Sequence, residues 1–495
     1  MRSSLSKSFL IALLGLKVIV LVVLAIVLHS KERPHDPTWL GFRGGDTFSY
    51  FDPIETWLRH GTYAADLDRI ETYAGRMPGY GVVYAAFRLV GLSADIAQSA
   101  VVVAQLLLSL LAFWVLLEVV QAVFADMRLT KLVGIVLALS TYTAVFDFYL
   151  LTESFSTSTF VFALYCLWRG RTTRWYLLPA GAFLTWVVFL RPFMGAFFGV
   201  FALWLLLDDW QRNSRINWRN MLAGLALLGL PLLLADGWWI ARNYPIYHRP
   251  VPLQGDVMAG YNVPWSDAFL RYYIGGWGGD AVFWTPDAPA HWFTPEVAAT
   301  NALPAFPAYA YAPHYQLDSL RELRRLFLLT SDTTRPRALR TQVDAVLLPR
   351  IKAMSADYRA AHPWRFYVLA PLQLCRKFLF HNGAYRISRV PFAKASLLGK
   401  VVRSGYAALF LVVVVVGLLG TALLAWQRRL WPLLVVALPV FIIVLFPVLL
   451  RSIEYRHFVP AYPFMAIAAC YAILHMWRWL RQRLGAHPAD TTVVV

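Results

Sequence analysis

Six separate stretches of this chain place ionisable residues where an apolar run begins or ends. They are Asp46 in Gly44-Gly45-Asp46-Thr47-Phe48-Ser49-Tyr50, Arg76, Glu153 in Leu151-Thr152-Glu153-Ser154, Arg191, Arg242, and the group Arg451, Glu454, Arg456 and His457. An acid with several arginines suits one kind of chemistry. A carboxylate accepts the proton of a hydroxyl that is becoming a nucleophile. Guanidinium groups hold a departing phosphate through charge-assisted, often bidentate hydrogen bonds. Transfer of a sugar from a lipid phosphate to a hydroxyl needs both kinds of group. Each residue also has a plainer reading. Asp46 precedes helix formers and suits an N-cap, Glu153 suits a helix N-terminus, and Arg191, Arg242, Arg456 and His457 suit the head-group level as anchors.

The elements that must position these groups are membrane spans. Apolar stretches of roughly 17–25 residues can cross a bilayer, and about ten are legible: 9–28, 95–123, 131–147, 153–168, 174–190, 192–207, 219–240, 402–426, 431–450 and 458–477. Their joints alternate. Arg128/Lys131, Arg169/Arg171/Arg174, Arg212/Arg215/Arg219, Arg428/Arg429 and Arg478/Arg481/Arg483 follow even-numbered crossings, and Arg2/Lys7 precede the first. The positive-inside rule puts these loops and the amino terminus in the cytoplasm. The remaining polar material then faces outward, including 29–94 and 242–400, and all six ionisable stretches share that side. The chain therefore divides into a membrane domain 1–241 with the first outer loop 29–94, a large outer loop 242–400, membrane helices 401–480 and a cytoplasmic tail 481–495.

Composition agrees. The 495 residues are 59% hydrophobic with a mean hydropathy of +0.53, as in polytopic membrane proteins. The first apolar run lacks a small-x-small cleavage site and reads as a retained anchor. A net charge of +18 is largely the loop set above, and no basic, aromatic-interleaved soluble domain invites nucleic acid. Three cysteines, Cys166, Cys375 and Cys470, make neither a disulfide framework nor a cysteine metal site. Short helices are expected at 48–60, closed by Gly61, and at 80–91, closed by Gly91. In the second loop, 243–313 reads as an irregular aromatic cap whose Trp and Tyr residues at 261–292 pack or line an acceptor groove. Residues 315–382 are helical in pattern, and the run from His362-Pro363-Trp364 to Arg376-Lys377-Phe378 suits a helix lying in the interface. Lys17, inside the first span, either snorkels or meets Glu118 of the second.

At the level of motifs the chain resembles the GT-C superfamily of polytopic glycosyltransferases, in the bacterial branch akin to protein O-mannosyltransferases and the lipid A aminoarabinose transferase. The matching pieces are Gly45-Asp46-Thr47-Phe48-Ser49-Tyr50 with Gly61 and Tyr63, then Arg76-Met77-Pro78-Gly79-Tyr80, Leu151-Thr152-Glu153, Leu190-Arg191-Pro192, Arg242-Asn243-Tyr244, His362-Pro363-Trp364, and Glu454-Tyr455-Arg456-His457 with Pro460 and Pro463. They run in family order from the first span to the last. The family often places a second acid directly after the first; here that position is Thr47.

The resemblance implies an all-α integral membrane protein of about ten transmembrane helices with two large outer loops. It implies a hexosyl- or pentosyltransferase that moves a sugar from a polyprenyl-phosphate-linked donor to a glycan, lipid or protein acceptor at the outer face of the cytoplasmic membrane, by a single inverting displacement. Asp46 and Glu153 correspond to the family's catalytic acids, with Asp46 as base. Arg76, Arg191, Arg242, Arg456 and His457 would hold the donor phosphate, and Tyr50, Tyr455, Arg376 and Lys377 would touch lipid or acceptor. No cofactor is specified; a divalent metal stays open. Two other classes compete. A transporter or flippase of lipid-linked intermediates would show inverted repeats and polar groups at the midplane, whereas here the polar groups gather at one surface. A non-catalytic subunit on the same scaffold would tolerate loss of Asp46.

Overall fold

All ten expected apolar segments are helical in a computed structural model, which describes residues 6–30, 38–214, 216–255, 264–280, 292–293, 306–332, 334–388 and 390–484. Among the described residues there are no β-strands, only isolated bridges such as Phe42 to Tyr149. In chain order the first helices are α1 (Lys7–Leu28), α2 (Thr47–His60), α3 (Gly81–Leu89), α4 (Ala94–Phe124), α5 (Met127–Leu139) and α6 (Thr141–Ala144). Next come α7 (Glu153–Gly170), α8 (Leu177–Leu190), α9 (Ala196–Asn213) and α10 (Trp218–Tyr247). The second loop carries α11 (Trp265–Gly276), α12 (Leu317–Ser331), α13 (Arg337–Ala361) and α14 (Ala370–Phe380), and the bundle closes with α15 (Leu397–Gln427), α16 (Leu430–Ile443) and α17 (Tyr462–Arg483).

Among the described residues seven helical stretches are long and apolar enough to cross a bilayer unaided, which makes this a multi-pass membrane protein. An eighth is broken, with α5 and the Thr141–Asp147 turn meeting at 45°. The other two expected spans, α7 and α8, are inner helices. In α7 the sequence Glu-Ser-Phe-Ser-Thr-Ser-Thr is too polar for lipid, and its side chains are buried almost throughout. Thr157 and Ser156 return their hydroxyls to the Glu153 carbonyl, at 2.8 and 3.0 Å, which makes such a helix tolerable inside a bundle. Small residues bring neighbouring helices close. Gly181 of α8 lies against the Leu228 backbone of α10, and Gly417 and Gly420 of α15 lie against Met465 and Ala468 of α17.

The two outer loops pack separately and then meet. Helices α2 and α3 are closed by left-handed Gly61 (φ 72°) and Gly91 (φ 91°), as their positions predict. Helices α11, α12 and α13 share an apolar core of Leu270, Tyr273, Leu323, Phe327, Ile351 and Tyr358. Arg337 on α13 pairs with Glu71 of the first loop at 2.7 Å. Of the expected aromatic cap, 256–263, 281–291 and 294–305 lie outside the described residues, as do the tail 485–495 and Arg2.

Helix α10 runs past Arg242 to Tyr247 with Pro231 and Pro245 inside it. One expectation is corrected. Lys17 does not meet Glu118, which faces outward from α4 while its neighbours Leu117, Val119 and Val120 are buried. Lys17 is 5% exposed and borders a cavity of about 50 Å³ together with Ser109, Asp147, Ser154 and Ser158. The Asp147 carboxylate accepts hydrogen bonds from Ser109 Oγ (2.8 Å) and Ser154 Oγ (2.5 Å). A space of that size holds a few waters when its walls are polar.

Candidate active site

Asp46 stands just before α2, yet its side chain makes no capping bond (φ −93°, ψ −7°). The local work falls to its neighbours. Ser49 Oγ donates to the Asp46 carbonyl at 2.7 Å. Thr47 Oγ1 accepts from Gly44 N–H and donates to the Leu150 carbonyl, both at 2.8 Å. The Asp46 carboxylate turns instead to Arg456 Nη1 at 2.6 Å and Arg76 Nη2 at 3.8 Å.

Arg76 is set by the turn that follows it. Its Nε donates to Ser49 Oγ at 3.1 Å, and its guanidinium lies 4.6 Å from the centre of the Tyr50 ring. Gly79 lets this turn press on the end of α8, where a Cβ would come 2.6 Å from the Phe189 carbonyl group. Trp186 Nε1 on α8 donates to the Gly79 carbonyl at 2.9 Å. The same helix ends at Arg191, where Pro192 forces the extended backbone (φ −148°, ψ 94°) expected of a residue before proline.

The third contribution comes between α16 and α17. Arg451 takes a left-handed conformation (φ 57°) and is itself spent on the Phe366 carbonyl at 2.6 Å. The chain then forms a 3-10 turn, Tyr455–Ala461, that aims Arg456 and His457 at the other groups. Glu454 Oε2 accepts from Arg456 Nε at 2.8 Å and lies 3.3 Å from His457 Nε2. His457 Nδ1 is 3.4 Å from Arg191 Nη1, and the imidazole stacks on Phe446 with ring centres 3.9 Å apart. Arg191 Nη2 pairs with Glu153 Oε1 at 2.7 Å.

The result is one network in two depths. Asp46, Arg76, Arg456, Glu454 and His457 keep 16–22% of their side-chain surface accessible, while Glu153 and Arg191 keep 1% and 6%. Three guanidiniums face three carboxylates, so the charges balance before histidine is counted. Burial pushes the Glu454 carboxyl up, but the Arg456 guanidinium and His457 outweigh it and hold that carboxyl well below the usual range.

Around Asp46 the donor set is one carboxylate facing two guanidiniums, with the Thr47 hydroxyl turned away. A hard divalent cation needs several oxygens, so these residues do not fit one. Among the described residues no three His, Cys, Asp or Glu side chains converge as metal ligands.

Asp46, Tyr50, Arg76, Glu153, Arg191, Arg456 and His457 are thus brought together. Four other candidates are engaged elsewhere. Arg242 donates to the Tyr73 carbonyl and Asn243 Oδ1, each at 2.6 Å, and to the Tyr63 carbonyl. It clamps the first loop onto α10, and Tyr63 O–H in turn donates to the Arg76 carbonyl at 3.3 Å. The Tyr455 hydroxyl accepts from Arg386 Nε at 2.8 Å. Lys377 Nζ donates to the Gly278 carbonyl at 3.3 Å, and Arg376 is exposed on α14. Glu454 and Ser49 belong to the network without having been given a role from sequence. Glu454, three residues before His457 in a run with Arg456, was the available signal.

No family model and no curated protein matches the sequence. Among solved structures, the Archaeoglobus fulgidus oligosaccharyltransferase tethered with an acceptor peptide is 14% identical, with a TM-score of 0.45 over 98% of this chain and 52% of that one. This chain therefore spans about half the length of that enzyme. ArnT from Cupriavidus metallidurans is 15% identical in the apo state, with a TM-score of 0.34 over 93% of this chain and 76% of that one. The same protein bound to undecaprenyl phosphate gives 14%, 0.36, 95% and 78%.

Proposed function

We propose that this protein is a membrane glycosyltransferase that moves a sugar from a polyprenyl-phosphate donor to an acceptor hydroxyl at the outer face of the cytoplasmic membrane. The observation that carries this reading is the Asp46 carboxylate, which forgoes its helix cap to lie 2.6 Å from Arg456 and 3.8 Å from Arg76.

Asp46 takes the proton of the acceptor hydroxyl. The hydroxyl oxygen attacks the anomeric carbon, the bond from that carbon to the phosphate oxygen breaks, and the polyprenyl phosphate leaves with the electron pair. One displacement inverts the sugar carbon. Arg456 and Arg76 receive the phosphate, and Arg191 with His457 supports it from below. Glu153, almost fully buried on Arg191, is a positioning residue and touches no reacting atom.

The even charge balance has a consequence for the order of events. A phosphate that binds Arg456 and Arg76 competes with Asp46 for the same donors. Its arrival loosens the carboxylate from the guanidiniums that hold it, so donor binding frees the base for the acceptor hydroxyl. The test is mass spectrometry of lipids carried by the purified protein, joined to a transfer assay with Asp46→Asn. A polyprenyl-phosphate sugar retained by both proteins and transferred only by wild type supports the reading. Retention of no such lipid, or full transfer by the variant, overturns it.

A further inference from the structure

At the far end of the bundle from Asp46 is a second basic site that the proposed reaction does not use. Helix α7 separates the two, and its 18 residues rise about 27 Å at 1.5 Å each. The turn from α7 to α8 and the ends of α9 and α10 enclose a pocket of about 310 Å³. Its mouth is polar: Arg171 and Arg174 come from the turn, Arg212 from α9 and Asn220 from α10. Its inner wall is apolar, formed by Leu177, Leu205 and Met221.

Among the described residues three arginines at the mouth stand against two carboxylates, Asp208 and Asp209. Arg171 and Arg212 share one buried carboxylate, Asp208, which is 3% exposed and also accepts from Trp431 Nε1 at 2.7 Å. Arg171 is fixed by two rings, 4.2 Å from the centre of Trp168 and 4.8 Å from that of Trp431. Among the described residues Arg174 is hydrogen-bonded to a neutral partner, Asn220 Oδ1, at 2.9 Å. Asp209, on the pocket wall, is occupied by Asn213 Nδ2 (2.7 Å) and the Asn217 N–H (3.0 Å).

We propose that this pocket binds the phosphate of an anionic membrane phospholipid, with the acyl chain descending along the apolar wall. Two arginines held at fixed spacing over a single acid, with a third at the rim, form a fork for phosphate oxygens. Polar groups at the helix ends and apolar ones a turn deeper match a head group above a chain, and basic pockets between membrane helices are suited to such lipids. The site stands independently of the proposed transfer reaction.

The full-length protein, washed in detergent with equal phosphatidylglycerol and phosphatidylcholine, would be examined by native mass spectrometry for bound lipid. Wild type should retain phosphatidylglycerol in preference to phosphatidylcholine. Arg174→Gln, at an exposed position that does not endanger folding, and Arg212→Gln, which leaves Asp208 paired with Arg171 and Trp431, should each weaken retention about tenfold or more, the worth of one charged hydrogen bond. Arg483→Gln, an exposed change at the same end on α17, should retain it fully. Equal loss in Arg483→Gln would mean general surface attraction and overturn the site. So would undiminished retention in both pocket variants, or equal retention of the neutral lipid. An excess of inorganic phosphate, at matched ionic strength with chloride, should not displace the lipid; displacement would assign the pocket to soluble phosphate instead.

Discussion

At the residue scale the network makes distinguishable demands on its members. Asp46→Asn preserves size and cap ability but removes the proton acceptor, so transfer should fall by about 10²–10⁴ while the melting temperature and bound donor stay near wild type. Transfer at the wild-type rate would return Asp46 to a structural role. Arg456 tests another property. It serves Asp46 through Nη1 and Glu454 through Nε, a geometry that lysine cannot reproduce. Arg456→Lys should therefore lower the transfer rate despite retaining charge, as should Arg191→Lys; undiminished rates in both would leave the phosphate to Arg76 alone. Glu454 gives a pH dependence. Its folded carboxyl is held below the unfolded value of about 4.3. The stability it contributes is therefore complete above about pH 5 and is lost as pH falls through the folded value. Glu454→Gln should be less stable than wild type at neutral pH, and the gap should close below about pH 4 in thermal unfolding. A gap that widened on acidification would contradict the assignment.

At the scale of elements, each functional side chain depends on a junction rather than a helix. Gly79→Ala should place a methyl on the Phe189 backbone, costing about 1–3 kcal/mol as overpacking does, and should also slow transfer because the turn carrying Arg76 must shift. Arg242→Lys should act differently. It gives up the fork on the Tyr63 and Tyr73 carbonyls, so unfolding should become easier by about 1.5–3 kcal/mol, while the rate per folded molecule stays close to wild type. Much of this arrangement was legible in the sequence. Runs of apolar residues, Gly61 and Gly91 at helix ends, and the Arg/Lys spacing marked the elements, and the shared depth of Asp46, Arg76, Glu153, Arg191 and Arg456 marked their convergence. What the sequence could not separate was Arg242 from Arg191, since both follow a long apolar run and precede a proline. Only their partners tell them apart: backbone carbonyls for one, a buried carboxylate and an imidazole for the other. Lys17 was misjudged for a similar reason, because the bend at Ser140 that carries Asp147 inward has no periodic signature.

At the scale of the whole molecule, the Asp46 end of the bundle and the basic end opposite are separable by labelling. In a Cys375→Ser background, with Cys166 and Cys470 buried, Phe48→Cys should react with a membrane-impermeant thiol reagent from outside and Thr172→Cys should not. Phe48 serves because it is 50% exposed, whereas Thr47 beside it is fully buried. The opposite pattern would move the Asp46 network to the cytoplasm. The internal charge described above bears on how the protein is made. Lys17 is made before its acid, since the carboxylate across its cavity is about 130 residues downstream. At 5–20 residues per second, Asp147 follows roughly 7–26 s later. During that interval an ammonium group that costs about 2.5–3.5 kcal/mol at the bilayer centre has no acid to face. The surrounding apolar residues, with a mean hydropathy of 3.1, keep the helix in the membrane all the same. Helix α1 therefore settles only after its acid has been made, and its final seat is decided by the arrival of the Thr141–Asp147 segment.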